Sequence, residues 1–316
     1  MKKLPQIIEA NTFPVTLTLN DVGMADFKKW YKQHEQEFKA ALAVKGAIHI
    51  KGLGIDSVST FEDMLTVFSH PLLDYVDGNS PRKKLSSKVY TSTEYDSSKS
   101  ITLHNELSYS CTYPKHIYFS CVQPAMSGGE TPIADGRVVL AKMDQSLVKK
   151  IEKHGVKYIR NLHGGDGLGP SWQETFETTD RQVVNAFCKS NQIDATWTEN
   201  GLNLVHLRQG VINHPKTNET VWFNQIDQFH PSHLGKEYYE TLMMLYQQEE
   251  LLPMYVKFGD DSRISDEMVS EIRGVIDEHE VASPWEKGDA LILDNILVSH
   301  GRRPFQGPRS VLVAMS

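Results

Sequence analysis

A His-x-Glu pair in the first half of the sequence has the side-chain types and the spacing of a metal site. His104 and Glu106 are separated by one residue, so on a strand both side chains would project from the same face. With 13 histidines and 40 acidic residues in 316 positions, chance alone gives roughly 1.6 such pairs. The spacing therefore does not establish a site, and a surface pair on a solvated strand is the alternative.

A third metal-binding candidate, His300, stands near the C-terminus before Gly301-Arg302-Arg303. A jelly roll places early and late core strands side by side, so His104, Glu106 and His300 could bind one metal ion. Two histidines and one carboxylate leave coordination positions open for a bidentate α-keto acid and dioxygen, whereas a structural zinc site needs a fourth protein ligand. The alternative for His300 is an exposed histidine in a turn.

Arg309 and Thr131 are candidates for binding an anionic ligand. Arg309 begins an apolar stretch typical of a buried strand, where a ligand carboxylate would compensate the guanidinium through a two-pronged contact. An internal salt bridge with Asp or Glu is the alternative. The stretch Gly128-Gly129-Glu130-Thr131 predicts a tight turn before a strand, from which the Thr131 hydroxyl could donate to the same carboxylate.

These candidates need a scaffold of many short strands, which the hydrophobic pattern predicts. The fold class indicated is mainly β with inserted helices and a double-stranded β-helix (jelly-roll) core. We expect one domain over residues 1–316, with a strand and helix layer in 1–78 and the core with insertions in 79–316. The polar segment 85–100 predicts a lid over the site, with an ordinary mobile loop as the alternative. Strands are predicted at 13–19, 47–50, 117–122, 131–134, 156–159, 202–207, 220–223, 290–293 and 310–314, and helices at 26–44, 59–70, 145–153, 181–190, 234–247 and 266–278.

Composition and motifs exclude several classes of function. The net charge is −7 and no basic run is present, so we expect no nucleic-acid partner. No apolar stretch approaches the roughly 20 residues of a membrane span. The three cysteines have no C-x-x-C spacing, which predicts a reducing cytoplasm. Motifs for nucleophile-elbow hydrolases, P-loops and dinucleotide binding are absent. His163, His206, His214 and His230 are interpreted as ordinary core or surface histidines.

The ordered motifs together resemble a known family, the taurine dioxygenase and clavaminate synthase family of Fe(II)/2-oxoglutarate oxygenases. The similar branch contains the syringomycin-biosynthesis hydroxylase, and the resemblance runs from about Asn79 to the C-terminus. It is carried by the stretches at 89–95 (VYTSTEY), 103–109 (LHNELSY), 121–125 (CVQPA), 128–135 (GGETPIAD), 294–295 (DN), 300–302 (HGR) and 307–309 (GPR).

The resemblance implies a jelly roll with one Fe(II) and with 2-oxoglutarate and O2 as co-substrates. By motif, the iron ligands would be His104, Glu106 and His300, Arg309 would bind the distal carboxylate of 2-oxoglutarate, and Thr131 would assist. Many relatives have Asp in place of Glu106, which affects the substrate prediction and not the metal. Glu106 also argues against a halogenase, where a small residue admits chloride. The short interval from His300 to Arg309 leaves open a contribution from Arg302 or Arg303.

The implied activity is hydroxylation of an unactivated C–H bond, with release of succinate and CO2. The branch suggests an amino acid or an amino-acid-derived metabolite, free or tethered to a carrier protein. Desaturation or epoxidation would use the same site. Two other readings stay open: a jelly-roll binding protein that retains the metal without turnover, and a cupin-like metal hydrolase or isomerase, which would not need Arg309.

Overall fold

The computed structural model describes residues 12–19, 22–79, 82–92 and 95–316. In these ranges the chain forms many short strands with helices inserted between them, as the hydrophobic pattern predicts. The strands are β1 (Val15–Thr18), β2 (Ala47–Lys51), β3 (Tyr90–Thr91), β4 (Ile101–His104), β5 (His116–Gln123), β6 (Ser127–Gly128), β7 (Ile133–Asp135), β8 (Val156–His163), β9 (Asp194–Trp197), β10 (Gly201–Arg208), β11 (Val211–Asn213), β12 (Thr220–Trp222), β13 (Met254–Phe258), β14 (Ala290–Asp294), β15 (Val298–Arg302), β16 (Phe305–Gln306) and β17 (Ser310–Met315).

The helices pack around these strands, and their N-termini are mostly capped by side chains. Asp180, for example, accepts a hydrogen bond from the backbone of Gln182 and so begins the helix that the sequence predicts at 181–190. No helix in the described ranges combines the length and apolarity of a membrane span. The helices are α1 (Met24–Lys45), α2 (Val58–Leu65), α3 (Gly136–Lys142), α4 (Gln145–His154), α5 (Trp172–Phe176), α6 (Arg181–Ser190), α7 (Ile226–Phe229), α8 (Lys236–Tyr246) and α9 (Asp266–His279).

The largest sheet of the described residues has six strands in the order β1-β2-β14-β5-β17-β3. Its pairs are antiparallel except β1 and β2, which run parallel and are connected through α1. Strand β2 lies beside β14. The N-terminal segment therefore extends the same sheet as the late strands of the predicted core.

Side-chain alternation on β14 shows how this sheet is buried on both faces. Leu291 and Leu293 pack in the cluster that includes residues of β7, β15, α3 and α9, whereas Ala290 and Ile292 pack against residues of α1 and α2. Strands covered on both faces read as continuous apolar runs. The strands predicted at 117–122, 290–293 and 310–314 are for this reason confirmed with small shifts at their ends.

A second sheet, in the order β4-β15-β7, completes the jelly-roll core, and it carries the candidate site. A four-stranded sheet, β13-β8-β10-β9, packs against α5 and α6 in a separate cluster of buried side chains. The mainly β, helix-decorated jelly roll expected from the sequence is thus confirmed.

One predicted helix is shorter than its apolar pattern. The spacing predicts a helix over 59–70, but α2 ends at Leu65, and the backbone of Val67 and Phe68 donates to carbonyls three residues earlier. The Phe68 ring still packs on Tyr31 and Tyr118, at centroid distances of 5.2 and 4.9 Å. The apolar periodicity continues because a tight turn keeps Phe68 on the buried face.

Candidate active site

The three predicted metal ligands lie together in the buried interior. One potential ligand atom from each of His104, Glu106 and His300 lies within 4.8 Å of the others. The Nε2 atom of His300 is 3.7 Å from Oε2 of Glu106, and the two imidazole rings are 4.7 Å apart. All three side chains are buried. A cluster so enclosed is not the solvated surface pair that spacing alone allowed.

The register of β4 and β15 brings the two histidines together. These strands are antiparallel neighbours, and His300 lies directly opposite His104 in the ladder. Side chains at opposite positions of such a pair project from the same face. The expectation that an early and a late strand meet is therefore confirmed, and His300 lies on a buried strand instead of in an exposed turn.

Glu106 reaches the cluster by a different route from the one expected. The sequence predicts His104 and Glu106 on one strand face, but β4 ends at His104 and Glu106 lies in the following turn. The Asn295 side chain holds this turn: its Oδ1 accepts from the Glu106 backbone N–H (2.7 Å), and its Nδ2 donates to the carbonyls of Glu106 (3.0 Å) and Pro114 (2.8 Å). Leu107 follows with a positive φ of 55°. The strand expectation was wrong because this asparagine replaces the ladder hydrogen bonds.

The charge states of the cluster suit metal binding. The Nδ1 atom of His104 lies 2.9 Å from the Thr102 carbonyl and 2.8 Å from Gln228 Nε2, so Nδ1 faces protein partners and Nε2 is the ring nitrogen that remains for a metal. Burial and the neighbouring His300 lower the pKa of His104 to about 4. Burial alone would raise the pKa of Glu106, but the nearby Arg82 and the two histidines lower it below its usual range. At neutral pH the cluster thus holds a neutral imidazole and an ionised carboxylate, the forms that bind a metal.

Two buried atoms of the cluster lack hydrogen-bond partners among the described residues. They are Oε1 of Glu106 and Nδ1 of His300. Buried polar atoms are nearly always paired, so an unpaired carboxylate oxygen in a cluster with two imidazoles fits a site that binds a cation. The donor set of two histidines and one carboxylate suits a non-haem Fe(II) with open positions.

Arg309 lies at the wall of the same pocket. Its Nε donates to the Gly129 carbonyl (2.9 Å) and its Nη1 to Ser92 Oγ (3.0 Å). No carboxylate within the described ranges forms an ion pair with it, so the internal salt bridge considered above is not found there. Burial and then Arg302 lower the pKa of Arg309 to about 10, which leaves the guanidinium charged at neutral pH. A buried cation without an acidic partner can bind an anionic ligand.

The predicted Gly-Gly turn supports Arg309 directly. Gly128 and Gly129 have φ values of 68° and 77°, and a Cβ on Gly129 would lie 3.0 Å from Cδ and Nε of Arg309. Thr131 follows and lines the same pocket. Its Oγ1 accepts from Trp285 Nε1 at 3.1 Å, so the Thr131 O–H is available to donate to a ligand.

The other two candidate arginines have different partners. The Arg302 guanidinium borders the pocket but donates to the carbonyls of Tyr95 (3.0 Å), Asp96 (2.6 Å) and Lys99 (3.0 Å). Arg303 is exposed and pairs with Glu280. Arg302 therefore holds the 95–99 loop, and Arg303 forms an ion pair at the surface. Of the three candidate arginines, Arg309 is the one best placed to bind a carboxylate.

The structure adds residues that the sequence reasoning missed. Arg82, in a segment without periodicity, forms a buried ion pair with Glu106, Nη2 to Oε2. The side-chain amide of Gln228 contacts Nδ1 of His104 at 2.8 Å. No local signal marks either residue. Asn295 had a signal, since it belongs to the Asp-Asn pair just before the His300 strand.

The remaining histidines lie outside the metal cluster, as predicted. Nε2 of His214 is 3.1 Å from Asp294 Oδ2, and Nε2 of His230 is 3.0 Å from the Ile264 carbonyl. His206 is buried beside the Tyr109 ring. These contacts are structural.

Comparisons with known proteins agree with this geometry. The family profile described as "Taurine catabolism dioxygenase TauD, TfdA family" matches residues 9–315. The chain is 36% identical over 302 residues to the dapdiamide synthesis protein DdaC of Enterobacter agglomerans, covering 95% of this chain and 89% of that protein. It is 28% identical over 323 residues to the clavaminate synthase-like protein At3g21360 of Arabidopsis thaliana, covering 99% and 94%.

Among solved structures, a taurine dioxygenase from Burkholderia xenovorans superposes with a TM-score of 0.53 at 15% identity, covering 95% of this chain and 85% of that one. This likeness supports the shared fold. Because the family profile spans nearly the whole chain, the protein belongs to the TauD/TfdA family, and it is a dioxygenase that uses Fe(II), with 2-oxoglutarate and O2 as co-substrates, on a small-molecule substrate.

Proposed function

We propose that His104, Glu106 and His300 bind the Fe(II), and that Arg309 with Thr131 binds the distal carboxylate of 2-oxoglutarate. The observation that carries this assignment is the buried three-residue cluster with an unpaired Glu106 oxygen. Three protein donors would hold the metal and leave coordination positions open for the co-substrates. Bound iron supplies the oxidising power that couples decarboxylation of 2-oxoglutarate to attack on a C–H bond.

Arg309 is assigned to 2-oxoglutarate because of its charge and its position. It lines one pocket with His104, His300 and Thr131, and the pocket has no described acid to pair with it. A guanidinium fork matches a carboxylate in a way that a lysine ammonium cannot. The Thr131 hydroxyl, oriented by Trp285, adds a neutral donor beside the fork.

For the reaction, we propose hydroxylation of an unactivated C–H bond of an amino acid or an amino-acid-derived metabolite, either free or tethered to a carrier protein. The support is the 36% identity to a protein named for dapdiamide synthesis. A cavity of about 670 Å³ lies beside Arg82 and is lined by aromatic and polar side chains, which suits a small polar molecule.

The segment 85–100 is proposed to cover this cavity and to exclude water from the metal site. It is anchored: Tyr90 and Thr91 form β3 against β17, and Arg302 holds the 95–99 backbone. Tyr90 and Tyr95 both line the cavity. Residues 93 and 94 of the segment lie outside the described residues. We expect Tyr95→Ala to increase succinate formed per product molecule, because water then reaches the site; unchanged coupling would contradict the covering role.

We also propose that residues 1–316 form one domain, since β2 lies inside the large sheet built by the late strands. A reducing compartment, the cytoplasm, is proposed because Cys111, Cys121 and Cys188 are all free thiols.

Anaerobic titration with Fe(II) tests the metal assignment. We expect one Fe(II) per chain and a weak visible charge-transfer band once 2-oxoglutarate is added. His104→Ala or His300→Ala should weaken metal binding by at least the roughly 10–100-fold seen for changes around a ligand. His230→Ala, which removes a buried histidine outside the cluster, is the matched control. Parent-like affinity in either ligand variant would show the assignment to be wrong.

The substrate proposal is tested by turnover. Free amino acids, short peptides and carrier-tethered aminoacyl groups are supplied with Fe(II), 2-oxoglutarate and O2. Succinate release coupled to a mass gain of about 16 indicates oxygen insertion, and a loss of about 2 indicates desaturation. Epoxidation is recognised by the loss of an alkene signal. Coupled turnover with any compound excludes a protein that only binds.

A further inference from the structure

We propose that Arg82 binds a free carboxylate group of the substrate at the metal-side end of the large cavity. This inference rests on the proposed function and names its substrate class. It concerns a residue that no sequence motif marked and that the metal assignment does not require.

Arg82 has donors without partners although it is buried. Its side chain is 3% exposed, and Nη2 pairs with Oε2 of Glu106. Its Nε and Nη1 atoms have no hydrogen-bond partner in the described part of the chain. A guanidinium carries five N–H groups, so those on Nε and Nη1 of Arg82 have no hydrogen-bond acceptor among the described residues. Leaving such charged donors unpaired in the interior is unfavourable, which indicates that a ligand completes them.

The position of Arg82 places that ligand beside the metal site. Arg82 lines the small pocket that contains His104, His300 and Arg309, and it also lines the cavity of about 670 Å³. Its guanidinium carbon lies 4.5 Å from the centroid of the Tyr75 ring, so the ring packs against the fork. A group bound to Arg82 from the cavity therefore lies at the boundary between substrate and metal.

Other cations of the cavity wall already have acidic partners. Arg160 forms a buried ion pair with Asp77, and Lys84 lies 3.2 Å from a carboxylate oxygen of Asp74. Among the described residues, the one acidic partner of Arg82 is Glu106, whose negative charge also faces the two histidines and would face a bound metal ion. Among the described cations of this wall, Arg82 is thus the one with capacity for a further anion.

The balance of buried charge points the same way. A metal dication, Arg82 and Arg309 together bring four positive charges to the loaded site. Glu106 and the 2-oxoglutarate dianion bring three negative ones. One uncompensated charge in a closed site is costly, and a substrate carboxylate would neutralise it. The planar fork of Arg82 can also bind a carboxylate through two hydrogen bonds.

The consequence is a preference for substrates that keep a free carboxylate. A free amino acid satisfies this requirement. An aminoacyl group on a carrier protein has its carboxyl carbon in a thioester, and it satisfies the requirement only if its side chain is acidic. Arg82 therefore separates two substrate forms that the proposed function leaves together.

Calorimetric titration of the Mn(II)- and 2-oxoglutarate-loaded protein tests this without turnover. The probes are the L-amino acids, each compared with its own primary amide, under anaerobic conditions. We expect at least one amino acid to bind, and to bind about 30-fold or more tightly than its amide. In Arg82→Gln this ratio should fall to near one. Arg263→Gln, the same change at an exposed arginine outside the cavity, should keep the parent ratio.

Arg82→Lys is the second variant, because removal of the charge beside Glu106 could disturb metal loading in Arg82→Gln. Lysine keeps the positive charge but lacks the guanidinium fork. The amino acid should therefore bind about tenfold more weakly to this variant, and the affinity for its amide should not change. An equal loss for both probes, or no loss, overturns the inference.

Three other results overturn it as well. The first is an unchanged ratio of acid affinity to amide affinity in Arg82→Gln. The second is that the parent binds no amino acid at about 10 mM. The third is an Arg82 variant that loses only Mn(II) affinity, which would make Arg82 a positioning residue for Glu106. Failure of the proposed function is distinguishable, since the parent would then bind neither Mn(II) nor 2-oxoglutarate.

Discussion

Asn295 offers a sharp test of how Glu106, the proposed acidic ligand, is positioned. This side chain is fully buried and makes three hydrogen bonds, two of them to the Glu106 backbone and one to Pro114. It does not reach the metal cluster itself. We expect Asn295→Ala to weaken metal binding although no ligand is removed, because the turn that carries Glu106 loses its anchor.

The size of the effect follows from those contacts. Truncation leaves one N–H and two carbonyl groups buried without partners, each at about 1–3 kcal/mol. Water entering the space left by the side chain satisfies some of them, so the loss in free energy of unfolding should be about 3–5 kcal/mol. Folded domains have a total free energy of unfolding of about 5–15 kcal/mol. The variant should therefore fold, and its metal affinity should fall about 10–100-fold.

Two measurements separate the structural effect from the effect on Glu106. Urea unfolding of the metal-free protein gives the stability change, and anaerobic Fe(II) titration gives the affinity. The matched control is Asn191→Ala, a buried asparagine that holds the end of α6 through the Phe187 carbonyl. Both variants should be less stable, but only Asn295→Ala should bind iron more weakly. Equal iron affinities in the two variants would refute this account of Glu106.

Three further predictions follow from the pocket and the core. Arg309→Ala should raise the 2-oxoglutarate concentration required for turnover about 30-fold or more and leave iron binding unchanged. Arg309→Lys should restore part of the 2-oxoglutarate affinity. An unaltered requirement in Arg309→Ala would show the assignment to be wrong. Gly129→Ala, with its φ of 77° and a new Cβ 3.0 Å from Arg309, should raise the same requirement about tenfold; a rise in the iron requirement instead would count against the Arg309 contact. Burial lowers the pKa of His116 to about 4 in the folded protein, whereas the ordinary histidine pKa near 6.5 applies in the unfolded chain. Between pH 6.5 and pH 4 the unfolded chain therefore takes up a proton at this histidine and the folded protein does not. Stability should thus fall by about 3 kcal/mol at most between pH 6.5 and pH 4, and urea unfolding of His116→Phe should show a flatter decline; an equal slope would contradict this.

Predictions from the sequence succeeded where the pattern itself reports burial. Strands β5, β14 and β17 are covered on both faces, so their apolar runs mark them with little ambiguity. The helix at Arg181–Ser190 was predicted to the residue from its helical spacing, and in the structure Asp180 caps its first turn. The end of α2 was missed since Phe68 stays on the apolar face after the helix has stopped.

The candidate site was predictable only in part, for a related reason. Spacing alone did not establish a metal site, but His104 and His300 were expected together because a jelly roll brings early and late core strands side by side. The sequence holds no signal for Arg82, because its ion pair joins positions 24 apart across an irregular loop. Contacts of that kind depend on the tertiary fold and not on local pattern.

The two kinds of proposed metal ligand are held by different means, and this affects how each responds to change. His104 and His300 are direct partners in the β4–β15 ladder, and both strands pack in the buried core. Glu106 lies beyond the end of the strand and depends on one asparagine side chain for its backbone and on Arg82 for its carboxylate. A single substitution can therefore displace the acid while the histidines keep their positions. Among the three proposed ligands, Glu106 is the one whose position is set mainly by neighbouring side chains and not by the sheet.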